Sequence, residues 1–69
     1  MYQVKLHEAG EPAQVVGQGF TKRAAWERAW QAIRTAHGPL AVPPTTFNQL
    51  ADAVDNAFGG DVALTIEEQ

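Results

Sequence analysis

Gly17-Gln18-Gly19-Phe20-Thr21-Lys22-Arg23-Ala24-Ala25-Trp26 is the stretch where the chain changes period. Just before it, Val15 and Val16 supply the branched side chains that suit a strand, while Gly17 and Gly19 weaken it. Glycines in such a strand imply a bulge, or close approach by another backbone such as a helix crossing over it. Thr21 then offers a helix N-cap, its hydroxyl placed to accept from an amide two or three residues on. At about 100° per residue, Ala25, Trp26, Ala29, Trp30, Ala32, Ile33 and Ala36 share one arc of about 160°. Arg23, Glu27, Arg28, Gln31 and Arg34 fill the remainder, so one face is buried and the other meets water. Gly38 suits the position just past a helix, and Pro39 the stop that follows it.

Upstream, Tyr2, Val4 and Leu6 alternate with Gln3, Lys5 and His7 in the period of a half-buried strand. Glu8 to Pro12 is a turn, so the first strand and a second over Ala13 to Phe20 form a hairpin. Downstream, Pro39 to Pro44 is a stiff apolar connection expected to pack on the body through Leu40 and Val42. Thr46 and Gln49 have the spacing of a capping box, in which each side chain satisfies the other residue's backbone amide. A second helix starts there, with Phe47, Leu50, Ala51, Val54, Ala57 and Phe58 on one face, and Gly59-Gly60 ends it. Val62 to Glu67 alternates as a last strand.

The order β-β-α-α-β predicts an α+β two-layer sandwich: a three-stranded, mainly antiparallel sheet with both helices on one face. Gln3, Lys5, His7 and Thr65 then lie on the opposite, solvated face, itself a candidate binding surface. With 69 residues the chain is one domain spanning 1–69. A chain this short buries only about 60% of the surface it exposes when unfolded. Trp26, Trp30, Phe20, Phe47, Phe58 and Tyr2 are therefore expected in the core.

Composition narrows the chemistry. With no cysteine there is no disulfide and no thiolate site. No apolar run approaches the roughly 20 residues of a membrane span, and no secretory signal is visible, so a cytoplasmic protein is expected. Serine is absent too, and Thr21 and Thr46 have capping roles, which argues against an enzyme built on a nucleophile. His7 and His37 lack metal-ligand spacing and read as a strand-surface histidine and one at a helix C-terminus, where positive charge is favoured. Gly17 and Gly19 ahead of Lys22 and Arg23 hint at an anion site, but the dinucleotide and Walker patterns are missing. No catalytic residue, metal or cofactor is expected.

Charge is the most informative feature. Lys5, Lys22, Arg23, Arg28 and Arg34 are all the cations, and against Glu8, Glu11 and Glu27 they leave the first 34 residues at about +2. The remainder carries Asp52, Asp55, Asp61, Glu67 and Glu68 and no cation, about −5. Such separation steers and orients a partner of defined charge. Trp30, at the margin of the apolar arc and one turn before Arg34, has the composition of an interface hot spot.

Residues 2 to 33 resemble the C-terminal half of a double-stranded RNA-binding domain, in which a hairpin leads through Gly-x-Gly into Ser/Thr-Lys-Lys/Arg-x-Ala and a helix with alanines four apart. Gly17, Gly19, Thr21, Lys22, Arg23, Ala25 and Ala29 stand in those places. The family runs α-β-β-β-α; moving its first helix and strand to the end gives the order read here, a circular permutation. The resemblance implies RNA contacts from Lys22, Arg23 and Arg28 at the first helix's N-terminus. Ala24 replaces a further basic residue, however, and the helix that would enter the minor groove carries Asp52 and Asp55. With a net charge of −3, only weak affinity for duplex RNA follows.

The expected function is thus a non-enzymatic protein-binding module, an accessory or inhibitory protein of the kind phages and plasmids encode, acting by covering a partner's surface. Its contacts are expected at Arg23, Trp30 and Arg34, or at Asp52 and Asp55. Double-stranded RNA binding is the alternative, and a homodimer through a free strand edge is a third reading.

Overall fold

A computed structural model describes residues 1–39 and 43–69 of the chain. The expected packing of Leu40 and Val42 lies outside the described residues. Strands β1 (Tyr2–Glu8) and β2 (Gln14–Gly19) precede helices α1 (Lys22–His37) and α2 (Phe47–Ala57), and strand β3 (Val62–Glu68) follows. The sheet has the order β2-β1-β3 with both pairings antiparallel. This is the expected α+β sandwich.

β1 is the central strand, paired with β2 on one side and β3 on the other. Its inward residues Val4 and Leu6 are buried, and across from them in β3 stand Ile66 and Leu64. β1 and β3 pair without interruption from Tyr2↔Glu68 to Glu8↔Val62. β1 and β2 do not: Val4 faces Gly17 but Lys5 faces Val15, so Val16 is the extra residue of a bulge.

Both readings of the glycines hold at once. A Cβ built on Gly17 would press on the carbonyl oxygen of Ala25 and lie 2.5 Å from the amide nitrogen of Ala29. On Gly19 it would lie 2.7 Å from the Ala24 methyl. α1 therefore rests on β2 backbone against backbone, and Ala25 and Ala29, both fully buried, are the helix's half of that contact.

The caps follow the expected logic with one shift. Thr21 Oγ1 accepts from the Ala24 amide at 3.0 Å, and Thr46 Oγ1 from the Gln49 amide at 3.1 Å. Gln49 does not return the bond to Thr46. Its Oε1 accepts from the amide and the hydroxyl of Thr45, at 2.8 and 2.9 Å, so the box closes one residue earlier than the sequence implied. Thr46 is extended, φ −137° and ψ 163°, which turns the Thr45 amide toward the helix start. At the far ends, the Gly38 amide donates to Arg34 and the Phe58 amide to Val54.

The core consists of Val4, Leu6, Ala25, Trp26, Ala29, Ile33, Leu50, Val54 and Leu64. It is less aromatic than expected. Only Trp26 among the six aromatic residues is fully buried, while Tyr2, Trp30, Phe47 and Phe58 pack at its margin. Phe20 is outside altogether, 84% exposed. The reason is alternation: Gly17 and Gly19 take the side of β2 that meets α1, so Phe20, one residue on, turns to the other side. Ala32, Ala36 and Ala57, assigned to buried arcs by periodicity, are exposed. The sheet covers a narrower stripe of each helix than the apolar arc offers.

Candidate functional site

The exposed face of α1 and the strand end leading into it gather most of the chain's cations. Lys22, Arg23, Arg28 and Arg34 are all exposed. Arg23 is held by Glu27 one turn on, with Nε 2.8 Å from Oε1, an exposed i,i+4 pair that contributes a few tenths of a kcal/mol, about 0.3 to 0.5. Arg28 reaches back to the strand, its guanidinium donating to the Gln18 carbonyl at 2.8 Å. The group uses one of its five N–H donors there and keeps the rest for an acceptor arriving from outside. Phe20 immediately precedes this helix, between Gly19 and the cap Thr21.

Sequence reading placed Phe20 in the core, yet the signal against that was present. Strand alternation puts Gly17 and Gly19 on the side that meets α1, so Gln18 and Phe20 belong to the other side. Gln18 indeed takes its hydrogen bond from Gln3 Nε2, at 3.4 Å, on the helix-free face.

Trp30 sits further along α1, half-buried, with the Arg34 guanidinium carbon 5.7 Å from its ring centroid. A cation over an indole face at this distance is attracted by the ring quadrupole. The indole Nε1 is buried and has no hydrogen-bond partner among the described residues. Arg23 and Arg34 share α1, but Asp52 and Asp55 are exposed on α2. The contact residues expected from sequence thus divide between two helices.

Two further features lie away from the cationic start of α1. The helix-free face of the sheet is a polar lattice: His7 Nε2 and Thr65 Oγ1 share a hydrogen bond of 2.8 Å, and Lys5 meets Glu67 at 3.4 Å. At the opposite end of the molecule a cleft of about 220 Å³ is lined by Leu6, Glu8, Ile33, His37, Phe58 and Val62. It is smaller than the roughly 300 Å³ at which ligand pockets usually begin. His37 forms part of its wall, edge-on to Phe58 with ring centroids 4.7 Å apart. His7 and His37 are therefore engaged with different partners, Thr65 on the sheet and Phe58 on α2. Among the described residues no three His, Asp or Glu side chains converge as metal ligands would. No described helix is long and apolar enough to cross a membrane.

No protein-family model matches the chain, and no curated protein or solved structure is significantly similar to it.

Proposed function

We propose that this chain is a non-enzymatic protein-binding module, an accessory or inhibitory protein that covers a surface of its partner with the exposed face of α1. The observation that carries this reading is Phe20, 84% exposed at the head of a helix that presents Lys22, Arg23 and Arg28. A phenyl ring in water forgoes about 1.5 to 3 kcal/mol of burial, which a partner surface recovers. Aromatic and arginine side chains together are the usual composition of the energetically dominant spots in interfaces. The acidic face of α2, with Asp52 and Asp55, has charge but no exposed aromatic residue. α1 is therefore the stronger contact surface.

Affinity capture from the source cell's extract, read by mass spectrometry, tests this with Arg23→Glu and Arg34→Glu as controls. The expected result is a protein retained by the native chain and lost by the double variant, with unchanged circular dichroism. A protein retained equally by both removes α1 as the contact surface. Salt-sensitive retention of duplex RNA that falls with Lys22→Ala and Arg23→Ala would favour the nucleic-acid reading instead.

A further inference from the structure

The sheet ends in two free edges of opposite character. The β3 edge is acidic, with Asp61 before the strand and Glu67 and Glu68 at its end. The β2 edge, Gln14–Gly19, has no ionisable side chain of its own, and Arg28 of α1 reaches it at the Gln18 carbonyl. Edge strands carry unpaired N–H and C=O groups that template the addition of another strand, and proteins commonly block them with charges or proline. β2 itself carries neither, although its bulge at Val16 interrupts the ladder. Val15 is 50% exposed and Phe20, just past the strand, 84%. Arg28 is fixed against the Gln18 carbonyl, which holds a guanidinium with spare donors beside the edge backbone.

We propose that an extended acidic segment of a partner protein adds to the β2 edge as a fourth strand. Its backbone pairs with Gln14–Gly19, an apolar side chain lies on Phe20, and a carboxylate meets Arg28. This deepens the protein-binding reading by naming the partner's chemistry and backbone form. Main-chain hydrogen bonds supply affinity in such strand addition, and side chains at alternate positions supply specificity.

Charge selects this occupant over a nucleic acid, and pairing with a second copy is an outcome of the test. A nucleic acid needs many cations to displace its counterions. Here five Lys and Arg side chains stand against eight carboxylates, and the net charge is −3.

The test is an NMR titration of the isotope-labelled full chain with an alternating glutamate-valine hexapeptide, an alternating lysine-valine hexapeptide and a thymidine decanucleotide. The proposal expects the acidic peptide alone to shift the amides of residues 14–21 and to slow their hydrogen exchange. Phe20→Ser and Arg28→Gln, both at exposed positions, should each weaken it about tenfold. Absence of binding at about 1 mM peptide, shifts centred on α2, preference for the decanucleotide, or a β2 edge closed by self-association at NMR concentrations each overturns it. Capture of a partner that is lost with Arg23→Glu and Arg34→Glu but indifferent to Phe20→Ser and Arg28→Gln overturns the strand addition alone. The protein-binding reading would then remain.

Discussion

α1 and α2 cover the same face of one sheet, but they are held to it differently. α1 lies directly on β2, with Gly17 and Gly19 under Ala24, Ala25 and Ala29, so its distance from the sheet is set by backbone atoms. α2 packs through side chains: Leu50 and Val54 are fully buried, and Phe47 and Phe58 close the margin. Side chains can repack by changing rotamer, whereas two backbones in contact cannot. The α1 half is therefore rigidly specified, and the α2 half tolerates adjustment.

The sharpest way to break this contrast is to substitute one residue in each half. Gly17→Ala inserts a methyl 2.5 Å from the Ala29 amide nitrogen, and α1 must lift by about an ångström to make room. The expected loss is about 3 kcal/mol, the upper end for overpacking, and more where the bulge at Val16 is disturbed as well. A domain of this size has a total of about 3 to 5 kcal/mol, so much of the population unfolds. Leu50→Ala removes a fully buried side chain but leaves α2 free to settle, and about 2 kcal/mol is expected, the low end for such cavities. Urea denaturation midpoints rank the two. A Leu50→Ala variant less stable than Gly17→Ala shows that α1 has slack after all.

The caps give a smaller and finer test. Thr21→Ala removes the one side-chain oxygen that meets the α1 start, at about 1 kcal/mol. Thr46→Ala leaves the Gln49 side chain still clasping Thr45, so a loss of about half that is expected. Equal losses in thermal denaturation would mean that the Thr45 clasp does not hold the first turn of α2.

The features read correctly from sequence were those decided by a residue and its near neighbours. Thr21 and Thr46 cap because a hydroxyl three residues before an amide reaches it in nearly any context. Val4, Leu6 and Leu64 turn inward because alternation leaves no other face for them. Gly17 and Gly19 announced a bulge or a close backbone approach, and β2 has both. Phe20 was assigned to the core on size alone, but it follows Gly19 on the side of β2 away from α1. The other failures depended on distances between elements. Ala32 and Ala36 fit the helical period yet stay exposed, since the three-stranded sheet is too narrow to cover the whole arc. The charge split between the two parts of the chain was legible at once. That Arg28 would be fixed on the Gln18 carbonyl was not, because ten residues of separation say nothing about a turn's direction.

Tyr2 stands between the two halves, opposite Gly19 of β2 on one side and Glu68 of β3 on the other. It carries the smallest expected effect. A hydrogen bond to the Glu68 carboxylate, then the repulsion of that charge for a phenolate, and last a slight desolvation raise its pKa above the ordinary value of 10.0. Because the folded value lies above the unfolded one, the contribution to stability is complete below the ordinary value and is lost as pH rises through the folded one. Tyr2 is the chain's only tyrosine, so its phenolate absorbance reports this group alone. Glu68→Gln removes the charge while keeping an acceptor for the hydroxyl, and the titration should move down toward 10.0 without returning fully. An unchanged titration would assign the shift to the β2 side. The glycine-backed half would then govern the chemistry of the central strand as well as the position of its helix.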